Sequence, residues 1–172
     1  SLLNLDSQKD KERFSDKTVT EIVEAAFEMS KTKTGALIVV EQDMVLTEYE
    51  RTGISIDAVL TSQLLINIFE HNTPLHDGAV IVRNNRIVSA TCYLPLTDSL
   101  EIGKELGTRH RAAVGISEVS DALAVVVSEE TGSISVTSGG MLKQHLTPET
   151  LEKLLRNELC PKDDNDKSRV ER

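Results

Sequence analysis

Asp77 follows His76 and precedes Gly78 and Ala79, a run that can project a carboxylate and an imidazole from a loop while the glycine lets backbone approach a ligand closely. Such a carboxylate could hold a divalent metal ion or accept a proton. Asp-Gly is also a common turn dipeptide, so this segment alone leaves both readings open. Further along, Gly107-Thr108-Arg109-His110-Arg111 packs two guanidinium groups, a hydroxyl and an imidazole into one short stretch. Guanidinium groups recognise phosphate oxygens through paired hydrogen bonds, which makes this stretch a candidate phosphate site. The bland alternative is a solvated helix start with surface ion pairs to Glu101 or Glu105, which would contribute little to stability.

Two further segments could complete a pocket. Ser128-Glu129-Glu130-Thr131-Gly132 is a polar exit from an apolar run that could add a hydroxyl or carboxylate to the same pocket, although locally it reads first as an ordinary strand-ending turn. Tyr93 and Leu94, within Cys92-Tyr93-Leu94-Pro95, offer an aromatic and an aliphatic surface for a purine base, or else a place in the core or at its rim. Neither a Walker-type phosphate loop nor a dinucleotide-binding glycine fingerprint is present, and Gly139-Gly140 does not replace them.

The elements that must position these residues follow from hydrophobic periodicity. Val19, Ile22, Val23, Ala26 and Phe27 share one helical stripe, with Ser15 or Asp16 as the amino-terminal cap. The apolar run Gly35 to Val40 reads as a buried strand, and Asp43 as the turn after it. A second helix is expected from about Ile56 to Phe69, ended by His71-Asn72-Thr73-Pro74. Ala79–Val82 and Ile87–Thr91 flank Asn84-Asn85, a β-hairpin pattern. A short helix within Gly107–Ile116, a buried strand over Ala122–Val127 and a half-exposed strand around Ile134 and Val136 follow. A last helix is capped by Thr147 with Pro148 at its first position. Hairpins interleaved with helices predict an α/β fold of mixed α+β character, with a mixed central sheet flanked by helices.

Size and charge bound the function. A chain of 172 residues fits one domain, expected over 14–160, between a loose segment 1–13 and a charged tail 161–172. A formal charge of −9 disfavours nucleic acid and anionic membrane surfaces as partners. Cys92 and Cys160 show no metal spacing or disulfide framework, which fits a reducing cytosol. No apolar run approaches the roughly 18 to 20 residues that span a bilayer, so the chain reads as a soluble cytosolic domain. It opens at Ser1 without a methionine, as a processed or truncated chain would.

Together, Asp77-Gly78-Ala79, Arg109-His110-Arg111 and the Val-Val-Ser-Glu-Glu strand end resemble the diadenylate cyclase domain family over Phe14 to Leu159. Pro74-Leu75-His76, Cys92-Tyr93-Leu94-Pro95 and Gly107-Thr108 are most similar to its membrane-anchored bacterial type, with transmembrane helices ahead of the domain. The resemblance implies condensation of two ATP molecules into cyclic di-AMP, each 3′-hydroxyl attacking the other α-phosphate across a face-to-face homodimer. It implies catalytic roles for Asp77, Arg109 and Arg111, and a divalent metal (manganese, cobalt or magnesium) on Asp77. The imidazole of His76 would join that shell and favour the softer ions. Thr108, Arg109, His110, Arg111 and Ser128 would hold phosphates, with Glu130 in the same pocket. Gly78 and Ala79 would back the nucleotide, and Tyr93, Leu94 and Ala36 would border adenine. A membrane-bound regulator and phosphoglucosamine mutase are the implied partners. The competing expectation is a noncatalytic sensor of ATP or cyclic di-AMP, with a metal-dependent phosphohydrolase third.

Overall fold

The computed structural model describes residues 14–161. The segment 1–13 and, beyond Pro161, the charged tail lie outside the described residues. Seven strands form one mixed sheet in the order β2-β4-β3-β1-β5-β6-β7. Its strands are β1 (Ala36–Val40), β2 (Ile54–Val59), β3 (Ala79–Arg83), β4 (Arg86–Cys92), β5 (Leu123–Val127), β6 (Ile134–Ser138) and β7 (Met141–Lys143). The helices are α1 (Asp16–Thr32), α2 (Thr47–Glu50), α3 (Ser62–Phe69), α4 (Thr108–Val119) and α5 (Pro148–Leu159). Strand β1 runs parallel to β3 and antiparallel to β5, and every other pairing is antiparallel.

Alternation along the central strands divides the core into two layers. Ala36, Ile38 and Val40 of β1, with Val125 and Val127 of β5, meet α1, α3 and α5. Leu37 and Val39, with Ala124 and Val126, face Ala112, Ala113 and Ile116 of α4. The caps are local: Ser15 Oγ accepts from Thr18 N–H at 3.2 Å, and Thr147 Oγ1 from Thr150 N–H at 3.1 Å, with Pro148 opening α5.

Four expectations change. Ile56 to Val59 are not helical; they belong to edge strand β2, paired with β4. Ile54-Ser55-Ile56 has the alternation and β-branching of a strand, and the helix starts only where Thr61 Oγ1 accepts from Leu64 N–H at 3.1 Å. Phe27 leaves the buried stripe of α1: it is 42% exposed and lies under the Lys31 ammonium, while Ala25 and Met29 fill the inner face. Strand β6 is buried through Thr137, because α4 covers it and β7 extends the sheet beyond it; Thr137 Oγ1 donates to Ala113 O at 2.8 Å. Helix α2 and strand β7 are additions, each too short to show a period.

Candidate active site

Strand directions gather the candidate segments at one end of the sheet. Because β1 and β3 are parallel, Gly35 before β1 and Asp77-Gly78 before β3 emerge side by side. Val127 pairs with Ala36 and Cys92 with Ala79, so the Ser128 turn and the Tyr93-Leu94 segment leave from the same end. The first turn of α4 joins them through Arg109, whose guanidinium lies on Gly35. A Cβ added there would come within 2.5 Å of Arg109 Nη1, so a larger residue would push the guanidinium aside.

At the Asp77 segment the backbone is tightly specified. Gly78 has φ +82°, and a Cβ on it would meet Cys92 O and Thr91 C at 2.9 Å. Opposite it, Thr91 holds φ 56°, an uncommon conformation for a β-branched residue, where the β3–β4 register shifts. The Asp77 carboxylate is thereby left 86% exposed, beside His76 Nε2 at 3.3 Å. His76 Nδ1 lies 2.6 Å from Thr73 O. A carbonyl can only accept, so Nδ1 carries a proton, and Nε2 is the ring nitrogen that faces the carboxylate. A ring nitrogen tied to a backbone carbonyl is the usual support of a metal-binding histidine. Among the described residues no group of three or more His, Cys, Asp or Glu could hold a metal. The pair therefore fits a divalent ion that takes its remaining ligands from substrate and water.

A cavity of about 480 Å³ opens at this end, and its wall brings His76 together with Arg109. Glu129, Thr34, Gly35, Lys33, Glu28, Glu70 and His71 also line it. Arg109 pairs weakly with the exposed Glu129 at 3.5 Å, and its buried Nε has no hydrogen-bond partner. An unpaired buried donor is costly, and Arg109 lines the cavity, where its guanidinium is a candidate anion partner. The cap position of α4, Gly107, makes no side-chain cap bond, so the first-turn N–H groups add donors and the positive end of the helix dipole. The ion pairs to Glu101 or Glu105 considered from sequence are replaced by the one to Glu129.

The other candidates are spread around this centre. The His110 imidazole is buried, and burial pushes it below the ordinary value of 6.5, with the Arg109 charge acting in the same direction. Arg111 and the exposed Thr108 lie on the same helix turn, outside the cavity lining. Ser128 Oγ accepts from the N–H groups of Glu130 and Thr131, both at 3.2 Å, which leaves its own proton free to donate; Glu130 is exposed. The methyl groups of Ala36 and Ala79 are buried in opposite core layers, so only their backbone can face a ligand. Leu94 packs partly against the α4 layer, and Tyr93 is 76% exposed with its N–H donated to Thr52 Oγ1 at 2.8 Å. Sequence reasoning missed Lys33, Thr34, Gly35 and His71 as cavity residues, and offered Glu129 only as part of the Ser128–Gly132 segment. The signal available was a polar Lys-Thr-Gly run directly before an apolar strand, where backbone turns toward a strand-end site.

Comparison with known proteins assigns the family. The family described as DisA bacterial checkpoint controller nucleotide-binding (DAC) matches residues 23–158. This chain belongs to the diadenylate cyclase domain family. It is 54% identical over 147 residues to the cyclic di-AMP synthase CdaA of Bacillus subtilis, covering 86% of this chain and 54% of that protein. It is 58% identical over 131 residues to a diadenylate cyclase of Listeria monocytogenes, covering 76% and 48%. The chain thus spans about half the length of these curated relatives. Among solved structures, a double mutant of DacA from Staphylococcus aureus superposes with a TM-score of 0.81 at 51% identity, covering 83% of this chain and 95% of that one. A Bacillus cereus structure described as a hypothetical membrane spanning protein gives 0.72 at 52% identity, covering 74% and 63%. No helix among the described residues is long and apolar enough to cross a membrane.

Proposed function

We propose that this domain condenses two ATP molecules into cyclic di-AMP and two pyrophosphates. The observation that carries this reading is the cavity wall that joins His76, the neighbour of Asp77, to an Arg109 with an unpaired buried Nε. His76 and the phosphate-type donor Arg109 line one cavity of about 480 Å³, and Asp77 stands beside His76 outside that lining.

In the reaction each 3′-oxygen bonds to the α-phosphorus of the other ATP while the bond from that phosphorus to pyrophosphate breaks, and the 3′-hydroxyl proton leaves. Asp77, exposed and next to His76 Nε2, would hold a divalent cation with His76. Manganese, cobalt and magnesium are the candidate ions; a bound ion would lower the pKa of the hydroxyl and offset phosphate charge. Arg109 binds the triphosphate and stabilises the charge that develops on departing pyrophosphate. Arg111 and Thr108 extend that set, Ser128 donates its hydroxyl, and His110 acts through its backbone N–H because its ring is buried. Gly78 and Ala79 back the nucleotide with main chain, while Tyr93, Leu94 and the Ala36 backbone border adenine; Glu130 flanks the phosphate turn. One domain holds one ATP, so both bonds form only in a homodimer with the sites face to face. A membrane anchor belongs to the same proposal, since one solved relative is described as membrane spanning. So does association with a membrane-bound regulator and phosphoglucosamine mutase.

Chromatography of products after incubation with ATP and manganese tests the reading. Cyclic dinucleotide is expected, with activity per milligram rising with protein concentration as dimers form. ADP or AMP would point to hydrolysis instead, and bound but unchanged ATP to a sensor.

A further inference from the structure

We propose that Lys33 binds the β- and γ-phosphates of the nucleotide, the part that departs as pyrophosphate. The proposal rests on the reading that this cavity takes ATP. It starts from a local conflict in the chain. Lys33 caps the carboxyl end of α1 in the left-handed conformation, φ 53° and ψ 43°, with its N–H directed to Met29 O and Ser30 O. Glycine is the residue this position favours, because a side chain there meets backbone. A lysine at such a point departs from local preference, and departures of that kind concentrate at functional positions.

The side chain of Lys33 lines the same cavity as Arg109 and His76. Its stem runs past the phosphate turn: Cγ stands 3.5 Å from where a Cβ of Gly132 would be. The two segments are fastened together by Ser30 Oγ, which donates to Gly132 O at 2.5 Å. Lys33 therefore lies along the Ser128–Gly132 turn and lines the cavity together with Glu129 of that turn. It also has no ion-pair partner among the described residues, although its neighbour Lys31 pairs with Glu28 at 2.8 Å and Arg109 pairs with Glu129.

Charge balance gives the ammonium a task. Three carboxylates line the cavity, from Glu28, Glu70 and Glu129, against two permanent cations, Arg109 and Lys33. That leaves the wall one negative charge in excess, and without Lys33 the excess facing a triphosphate would be two. Of the phosphate candidates Arg109 lines this cavity, whereas the adenine-bordering candidates Tyr93 and Leu94 do not. A compact ammonium suits terminal phosphate oxygens, which carry concentrated charge, while the planar guanidinium of Arg109 takes paired oxygens. The alternative role is a solvated lysine that only complements the dipole at the end of α1.

Lys33→Gly separates the two roles, because glycine is conformationally better there while the charge is lost. ATP and AMP affinities are measured by calorimetry with manganese for the wild type, Lys33→Gly, Lys33→Gln and Lys33→Arg, together with Tm. Lys33→Gly is expected to hold or raise Tm, weaken ATP about five- to tenfold and weaken AMP less than about twofold. Lys33→Gln should show the same split, and Lys33→Arg should restore most of the ATP affinity. ATP affinity unchanged in Lys33→Gly and Lys33→Gln, or ATP and AMP weakened alike, would overturn the role of Lys33. Product analysis of the same wild-type sample keeps the two readings apart. Bound ATP with no cyclic product would sink the cyclase reading and leave the phosphate contact standing, while a wild type that binds no ATP would sink both.

Discussion

Where β1 and β3 finish, Arg83 donates through Nε to Glu41 Oε1 at 2.7 Å, and through Nη2 to Glu41 Oε2 at 2.9 Å and Glu50 Oε2 at 2.6 Å. Where the same strands begin, Arg109 has one ion pair at 3.5 Å and a buried Nε with no partner. Around Arg83 no buried side-chain polar atom of the described residues lacks a partner: buried Glu41 also accepts from Leu46 N–H at 2.9 Å, and at the same end of the sheet Asp121 accepts from Asp43 and Met44 N–H at 3.0 and 3.1 Å. Hydrogen bonds to Glu41 and then Glu50 hold Arg83 above its already high ordinary pKa. A network with every member paired rigidifies a fold, and donors left open are available to a ligand. The contrast separates a structural arginine from a binding one better than exposure does, since both are partly buried.

The sharpest break in the comparison is at the open end. Asp77→Asn removes a charge but almost no volume from an exposed position, so Tm should stay within about a degree while turnover falls at least about a hundredfold. Near-wild-type cyclic di-AMP production by this folded variant would remove Asp77 from the mechanism.

Next comes the exchange of effects between the two arginines. Arg83→Met leaves buried Glu41 with only Leu46 N–H, and should cost about 2 to 3 kcal/mol in denaturant unfolding, discounted because Arg83 is partly exposed. Its ATP affinity in the folded state should hardly change. Arg109→Met should do the reverse, keeping stability within about 0.5 kcal/mol and weakening ATP at least about tenfold. Equal stability losses in the two variants would erase the distinction between the ends.

The motifs were readable because they are short and contiguous. Asp77-Gly78-Ala79 and Arg109-His110-Arg111 carry their chemistry in adjacent residues, and the Asn84-Asn85 hairpin carries its turn in two. What sequence could not show is set by pairing across distance. Ile56 and Val59 satisfy a helical stripe as well as an edge strand, and only the pairing with β4 decides. His110 looks like one more phosphate donor until α4 turns its ring inward. Lys33 and Glu129 enter the cavity only because β1 and β5 lie side by side, a neighbourhood that no local spacing encodes.

His110 gives a smaller effect, in stability against pH. Its pKa is lowered in the fold, so below about 6.5 the unfolded chain takes up a proton that the folded chain still refuses. The stabilisation from keeping it neutral is full above 6.5 and is lost as pH falls below that value. Tm of the wild type should therefore drop more between pH 7 and pH 5 than that of His110→Gln, whatever the offset between them at neutral pH. Parallel profiles would place the titration elsewhere.

The smallest effect tests whether the open end is held open at a cost. Glu129 is the acid that pairs with Arg109, and it is 62% exposed, so the pair contributes little to stability. A phosphate entering the cavity must nevertheless compete with that carboxylate for the guanidinium. Glu129→Gln should therefore leave Tm almost unchanged and tighten ATP about two- to threefold at low ionic strength, with the gain fading as salt screens the charge. Glu28→Gln is the matched control, because it removes one acid from the same cavity wall but from a pair with Lys31, not with Arg109. If the gain comes from freeing Arg109, Glu28→Gln should give less than half of it on a logarithmic scale, and the Glu129→Gln gain should disappear in an Arg109→Met background while any Glu28→Gln gain remains. Equal gains from the two variants would mean that ATP senses only the total charge of the wall. In that case the weak pairing of Arg109 would no longer distinguish the two ends of the sheet, and the unpaired Nε alone would have to do so.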